Sequence, residues 1–206
     1  ELMQKRVFDR FGMKDSSMVW RDDYVGRAAE IYDQDGKPLG HSRRKRARAA
    51  GSMDTTLDDY ARFMAAVLRG DGLSPQSARA MLSPQLAIVS PQQFPSHWPG
   101  ETDVYAPIKL AIGLGWPVYE SNAGPAFFKE GSDDGTNNLA LGFVRHRSGI
   151  VMLSNSSNTK AMFKAAVEAA FGEVCLPWFW MGYIPYDRPE LTGLQARGKP
   201  VPACAP

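Results

Sequence analysis

Cysteine is scarce in this chain: Cys175 and Cys204 are the only two among 206 residues. Two cannot build a disulfide scaffold, and the absence of a C-x-x-C pair removes the usual metal and redox centres. They say little about the compartment. Histidine is as sparse, and His41, His97 and His146 lie far apart on stretches that read as loops or turns. None has the i,i+4 or paired spacing of a zinc site, so no metal is expected and the three are read as facing solvent. Neither sign of charge dominates, with 24 basic against 22 acidic residues and a net charge of +2. No global field therefore draws nucleic acid or an anionic membrane. No run approaches the roughly 18 apolar residues of a membrane span, and the opening residues lack the apolar stretch of a signal peptide. Glycine and proline, 19 and 15 residues, stay below the share that marks low-complexity sequence. What remains is 44% apolar and 22% charged, an ordinary globular composition with enough chain for one domain or slightly more.

The opening residues place Leu2, Val7, Phe8 and Phe11 at loosely helical spacing and stop at Gly12, which reads as the end of a helix. The chain does not begin with Met and opens abruptly, so a preceding segment is expected. From Lys14 to Gly51 periodicity is lost, with turn residues at Asp35-Gly36-Lys37-Pro38 and a basic run from Arg43 to Arg48. At near-neutral net charge that run is read as a solvated loop. A helix follows, capped by Thr56 with Asp59 three residues on, its apolar face made of Leu57, Tyr60, Met64, Val67 and Leu68 before Gly70. Ser74-Pro75 opens a second, short helix to Leu82. Residues 84–107 read as a long loop.

The last third changes to β-like runs at Leu110–Val118, Ala126–Glu130, Leu139–Arg145 and Ile150–Ser154, the last two joined as a hairpin through His146–Gly149. Both of those strands are apolar on both faces, which calls for cover on each side. A final helix from about Thr159 aligns Phe163, Ala166, Val167, Ala170 and Phe171 and stops at Gly172. Asp33-x-Asp35-Gly36 and Asp133-Asp134-Gly135 are similar to calcium loops but lack the bidentate Glu at the required offset, so they read as turns. The aromatic stretch Pro177–Tyr183 is too short to span a membrane and reads as a tail docked on its own core.

Four strings then stand in a recognisable order. Phe11-Gly12-Met13-Lys14-Asp15-Ser16-Ser17 leads to Trp20; Ala49-Ala50-Gly51 precedes Thr55, Asp59, Ala61, Arg62 and Phe63. Further on come Ile112-Gly113-Leu114-Gly115-Trp116 and the run from Phe127 to Asn158 containing Lys129-Glu130-Gly131. In order and spacing they resemble the serine β-lactamase-like family, which includes class C β-lactamases, penicillin-binding D-Ala-D-Ala peptidases and related esterases. The resemblance runs from about Val7 to Phe171. It implies an α+β fold, an antiparallel sheet flanked by helices, incomplete because the part carrying the nucleophile is absent. The chain then divides into a hydrolase portion, residues 1–174, and an aromatic, proline-rich tail, residues 175–206.

By that resemblance the chemistry is acyl transfer through an acyl-enzyme, with no cofactor. A nucleophilic Ser with a Lys one helical turn later is required; the family places it, with a Tyr-x-Asn, upstream of the segment at which this chain starts. The one S-x-x-K here, Ser157–Lys160, follows the third motif and is read as coincidence. That third motif is matched by Lys129-Glu130-Gly131. On a strand Lys129 and Gly131 share a face, and Gly131 leaves room for a substrate backbone to pair with the edge. The backbone N–H of Ser132 matches one half of the oxyanion hole. The expected site is therefore Lys129 and the Ser132 amide, with Glu130, Gly131 and Asp133 on the substrate. Glu130, where lactamases carry Thr, and Asp133 and Asp134 repel an anionic acyl substrate and tilt the reading toward an esterase, amidase or peptidase.

The expected partners are a small-molecule or peptide acyl substrate and a companion segment or chain supplying the nucleophile, with no nucleic acid and no metal. Alone the chain is expected to be inactive. The rival reading is a non-catalytic module that binds a peptide or cell-wall fragment. Family analogy favours a periplasmic or secreted location, with the cytoplasm open.

Overall fold

The computed structural model describes residues 1–95 and 98–204; the expectation for His97 falls outside them. Six strands form one sheet in chain order: β1 (Leu86–Ala87), β2 (Ala111–Ile112), β3 (Pro117–Ser121), β4 (Gly124–Asp133), β5 (Thr136–Phe143) and β6 (Ser148–Ser154). The helices are α1 (Asp9–Phe11), α2 (Leu57–Arg69), α3 (Pro75–Met81), α4 (Lys160–Phe171) and α5 (Leu191–Ala196). The α+β class is as expected. Among the described residues no helix is long and apolar enough to cross a membrane. Two compact units are present, and β4 and β5 each give residues to both.

The first unit comprises Glu1–Gly72, Glu130–Ala140 and Ser148–Thr159. A short π-helical turn, Gln4–Phe8, runs into α1, and Gly12 ends it at φ 67°. The chain beyond is stitched to the start of α2. Thr56 caps that helix by accepting the Asp59 N–H at 3.2 Å, as its spacing predicts. The Asp59 side chain does not complete the cap. Its Oδ2 instead accepts the Asp15 N–H at 2.7 Å and the Ser16 hydroxyl at 2.9 Å, and its Oδ1 accepts from Arg62 at 3.2 Å. Asp59 is 1% exposed; a buried carboxylate is tolerated because donors surround it. Ser17 and Asp54 add an antiparallel bridge, so two of the four recognised strings are held together by this network. Helix α2 packs on β6; its Met64, Ala66 and Val67 are buried, whereas Leu57, expected on its apolar face, is exposed.

Loop geometry settles the two acidic turns. Asp33 Oδ1 accepts the Asp35 and Lys37 amides at 2.9 and 2.8 Å, an Asx turn. Asp134-Gly135 closes the β4–β5 hairpin, with Gly135 at φ 78° beneath Ile31 and Leu39, a left-handed conformation that glycine takes without steric cost.

The second unit comprises Leu73–Lys129, Leu141–Arg147 and Lys160–Pro206. The expected strand Leu110–Val118 is in fact two strands. Gly115 takes φ 89°, and Gly113 lies so close to the Met81 carbonyl that a Cβ there would stand 2.5 Å from it; the chain turns at these glycines to form the β2–β3 hairpin. Strand β1, exposed and only two residues long, lies inside the stretch read as loop. In β4, Val118 pairs with Phe127 and Ser121 with Gly124. Phe127 and Phe128 are fully buried on opposite faces: Phe127 meets Trp116 edge-on at 5.0 Å, and Phe128 meets Tyr119 at 5.9 Å. Gly142 is the complement to Phe127, since a Cβ there would lie 2.5 Å from the ring.

Helix α4 buries a narrower stripe than its periodicity predicts. Phe163 and Val167 are buried, while Ala166, Ala170 and Phe171 are exposed. The aromatic stretch docks on its own core as expected: Trp178, Phe179, Trp180, Met181 and Tyr183 are all buried, with Tyr183 5.6 Å from Phe163. The chain beyond it contains α5, unforeseen because Gly193 interrupts its pattern, and a disulfide joins Cys175 to Cys204 across a Cα separation of 4.9 Å.

Two substitutions test these cores by chemical denaturation. Gly142→Ala is expected to cost about 1–3 kcal/mol, because the buried Phe127 ring must move. Asp59→Ala is expected to cost about 1–3 kcal/mol by stranding the Asp15 amide and Ser16 hydroxyl, with Asp59→Asn milder because it keeps an acceptor.

Candidate active site

Strand β4 changes character midway. Ala126, Phe127 and Phe128 are buried; after them Lys129 is exposed, Glu130 half-buried, and Gly131, Ser132 and Asp133 exposed. The apolar pair anchors the strand, and the polar run carries it out of the core. Strand β3 pairs with β4 only from Gly124 to Phe127. From Phe128 onward β4 therefore runs past the end of β3. Alternation puts Lys129, Gly131 and Asp133 on one face and Glu130 and Ser132 on the other, and Lys129 precedes Ser132 by about 10 Å of extended chain. A Cβ built on Gly131 would meet nothing within 4 Å, so the space above that residue is open. Asp133 Oδ1 accepts the Asp134 N–H at 3.0 Å, which places this carboxylate at the hairpin turn.

The serine of the misplaced S-x-x-K match has a structural role. Ser157 Oγ accepts the Gly135 N–H at 2.8 Å. Lys160 Nζ sits 5.4 Å over the Tyr183 ring. Burial pushes the Tyr105 and Tyr119 phenols well above their ordinary value, keeping both protonated; the Tyr105 hydroxyl donates to the Pro91 carbonyl at 3.1 Å. Among the described residues no group of three or more His, Cys, Asp or Glu side chains could hold a metal ion. His146 is exposed as expected, but His41 is not simply solvated: it stacks on Trp20 at 5.5 Å.

Two surface hollows are lined by residues outside β4. One, of about 330 Å³, is lined by residues of α1 and α2, among them Arg10, Phe11, Arg62 and Arg69. The other, of about 620 Å³, is lined by Arg44, Lys45, Arg46, Ala47 and Arg48. Sequence reasoning placed these cations on a solvated loop and missed the hollow, because a curl of irregular backbone has no periodic signal.

A family model described as Beta-lactamase matches residues 1–172. The chain belongs to the Beta-lactamase family. That match takes in β4 and α4 and excludes the disulfide. Among solved structures, the chain is similar to an octameric penicillin-binding protein homologue from Pyrococcus abyssi, at 17% identity and TM-score 0.61, covering 83% of this chain and 37% of that one. It is similar to a penicillin-binding protein from Bacillus halodurans, at 21% identity and TM-score 0.61, covering 82% and 48%. It also resembles the D-alanine carboxypeptidase AmpC from Burkholderia cenocepacia, at 21% identity and TM-score 0.58, covering 76% and 50%. At these identities the likeness is one of fold. The matched part spans half or less of each of these structures. No curated protein matches the chain significantly.

Proposed function

We propose that this chain supplies the third-motif side of a serine acyl-hydrolase site, with Lys129 and the Ser132 amide acting on an acyl substrate whose attacking serine comes from residues outside the 206 described by this sequence. The observation that supports this reading is the course of β4: anchored by two buried phenylalanines, it leaves the core, runs past the end of β3 and presents open space over Gly131. An extended substrate can pair with such an edge through main-chain hydrogen bonds.

The chemistry assigns each group a step. A serine hydroxyl, its proton taken by a neighbouring base, attacks the substrate carbonyl. The carbonyl oxygen gains the charge, and the Ser132 N–H donates to it where that charge develops. The Lys129 ammonium holds the substrate's polar end and adds a positive field. The tetrahedral intermediate then collapses, expelling the alcohol or amine with a proton, and water releases the acyl group from the serine. Glu130, Asp133 and Asp134 crowd the same strand end with negative charge, which favours esters or amides without a carboxylate beside the scissile bond over β-lactams.

A chromogenic ester compared with a chromogenic lactam tests this. The chain by itself is expected to leave both intact. A protein that joins it to a segment carrying Ser-x-x-Lys and Tyr-x-Asn is expected to hydrolyse the ester faster than the lactam. In that protein Lys129→Met should lower kcat/KM by about 100-fold, whereas Ser132→Ala, which keeps the amide, should retain most of the activity. Turnover by the chain alone, or indifference to Lys129→Met, refutes the assignment; saturable ester binding without turnover by the joined protein replaces it with a binding module.

A further inference from the structure

We propose that the loop Arg44–Arg48 is a binding site for a compact, soluble anion carrying two or more phosphate-like groups, separate from the chemistry on β4 and independent of it. The composition is local and one-sided: between Asp35 and Asp54 the sequence contains no acidic residue and six lysines and arginines. The structure gives that run a shape. Arg44, Lys45, Arg46 and Arg48 line one open surface hollow of about 620 Å³, on a loop whose residues from Lys45 to Arg48 are exposed.

The loop backbone is hydrogen-bonded at both ends of the run. The Trp20 N–H donates to the Arg44 carbonyl at 2.8 Å, and the Arg48 N–H donates to the hydroxyl of Ser52 at 2.7 Å, Ser52 being 1% exposed. Trp20 is in turn fixed by the stacked His41 and by the Arg43 guanidinium 5.6 Å from its ring. These bonds hold the loop backbone in its curl without help from a ligand, which removes part of the ordering cost of binding. Among the described residues Lys45, Arg46 and Arg48 have no carboxylate partner. Arg44 lies 3.9 Å from Asp54, yet its buried Nε–H has no acceptor. Asp54, whose Oδ2 is also unpaired, is a carboxylate that opposes an anion here, and burial holds its carboxyl above the ordinary value.

Guanidinium forks match phosphate oxygens in pairs, and several forks around one concavity select multiple charges in a small volume. Duplex nucleic acid asks for something else: roughly 6–10 phosphate contacts strung along a surface, against one loop on a chain of net charge +2. A flat membrane surface likewise makes little use of a hollow.

Calorimetry with inorganic tripolyphosphate tests the site. At low ionic strength one molecule is expected to bind per chain, with affinity falling as salt is added and with orthophosphate at least about tenfold weaker. The double variant Arg46→Gln/Arg48→Gln should lose at least about tenfold in affinity while keeping its melting temperature, since neither side chain has an ion-pair partner; Lys45→Gln should show a smaller loss. No binding, or binding unchanged in the double variant, overturns the proposal. So does tighter binding of short duplex DNA or of phosphatidylglycerol vesicles than of tripolyphosphate at the same salt, which would make the loop a macromolecular contact.

Discussion

Strand β4 depends on two aromatic rings turned to opposite faces. Phe127 and Phe128 have no solvent exposure, and each is fixed by its own ring partner and, for Phe127, by the missing side chain at Gly142. A strand clamped on both faces has one course available to it. The polar residues that follow are carried outward by that clamp, and the order Phe-Phe-Lys-Glu-Gly is a change from full burial to open surface within about 10 Å of extended chain. Any function of Lys129 and Ser132 inherits its geometry from residues that touch no substrate.

The other organising contact in the first unit is electrostatic. Asp59 gathers two donors from the segment after α1 and one from its own helix, so a single carboxylate fastens the chain on both sides of the long irregular stretch between them. The Asx turn at Asp33, the bridge of Tyr32 to Pro38 and Ser156, and the curled basic loop all lie between these fastened ends.

Much of the architecture was legible because it rests on local rules. Thr56, Pro75, Gly70 and Gly172 mark helix ends by capping and backbone chemistry that needs no tertiary partner. The β5–β6 hairpin announced itself by runs of apolar residues about a short polar turn. What was not legible rests on contacts between distant residues. The split of Leu110–Val118 follows from Gly113 meeting Met81 and from the turn at Gly115. Asp59 looked like half of a cap until its donors arrived from residues 44 and 43 positions earlier. The candidate site was found by a motif, and the structure adds what the motif could not: the end of β3 and the open space over Gly131.

The bond from Cys175 to Cys204 encloses α5 and the exposed turns around it, outside the part of the chain matched by the family. A protease that cut once among those turns would leave both pieces attached, so the cleaved and intact forms would migrate together until a thiol was added. In an oxidising medium such a tail could be nicked and still keep its last residues tethered to the aromatic core on which it rests.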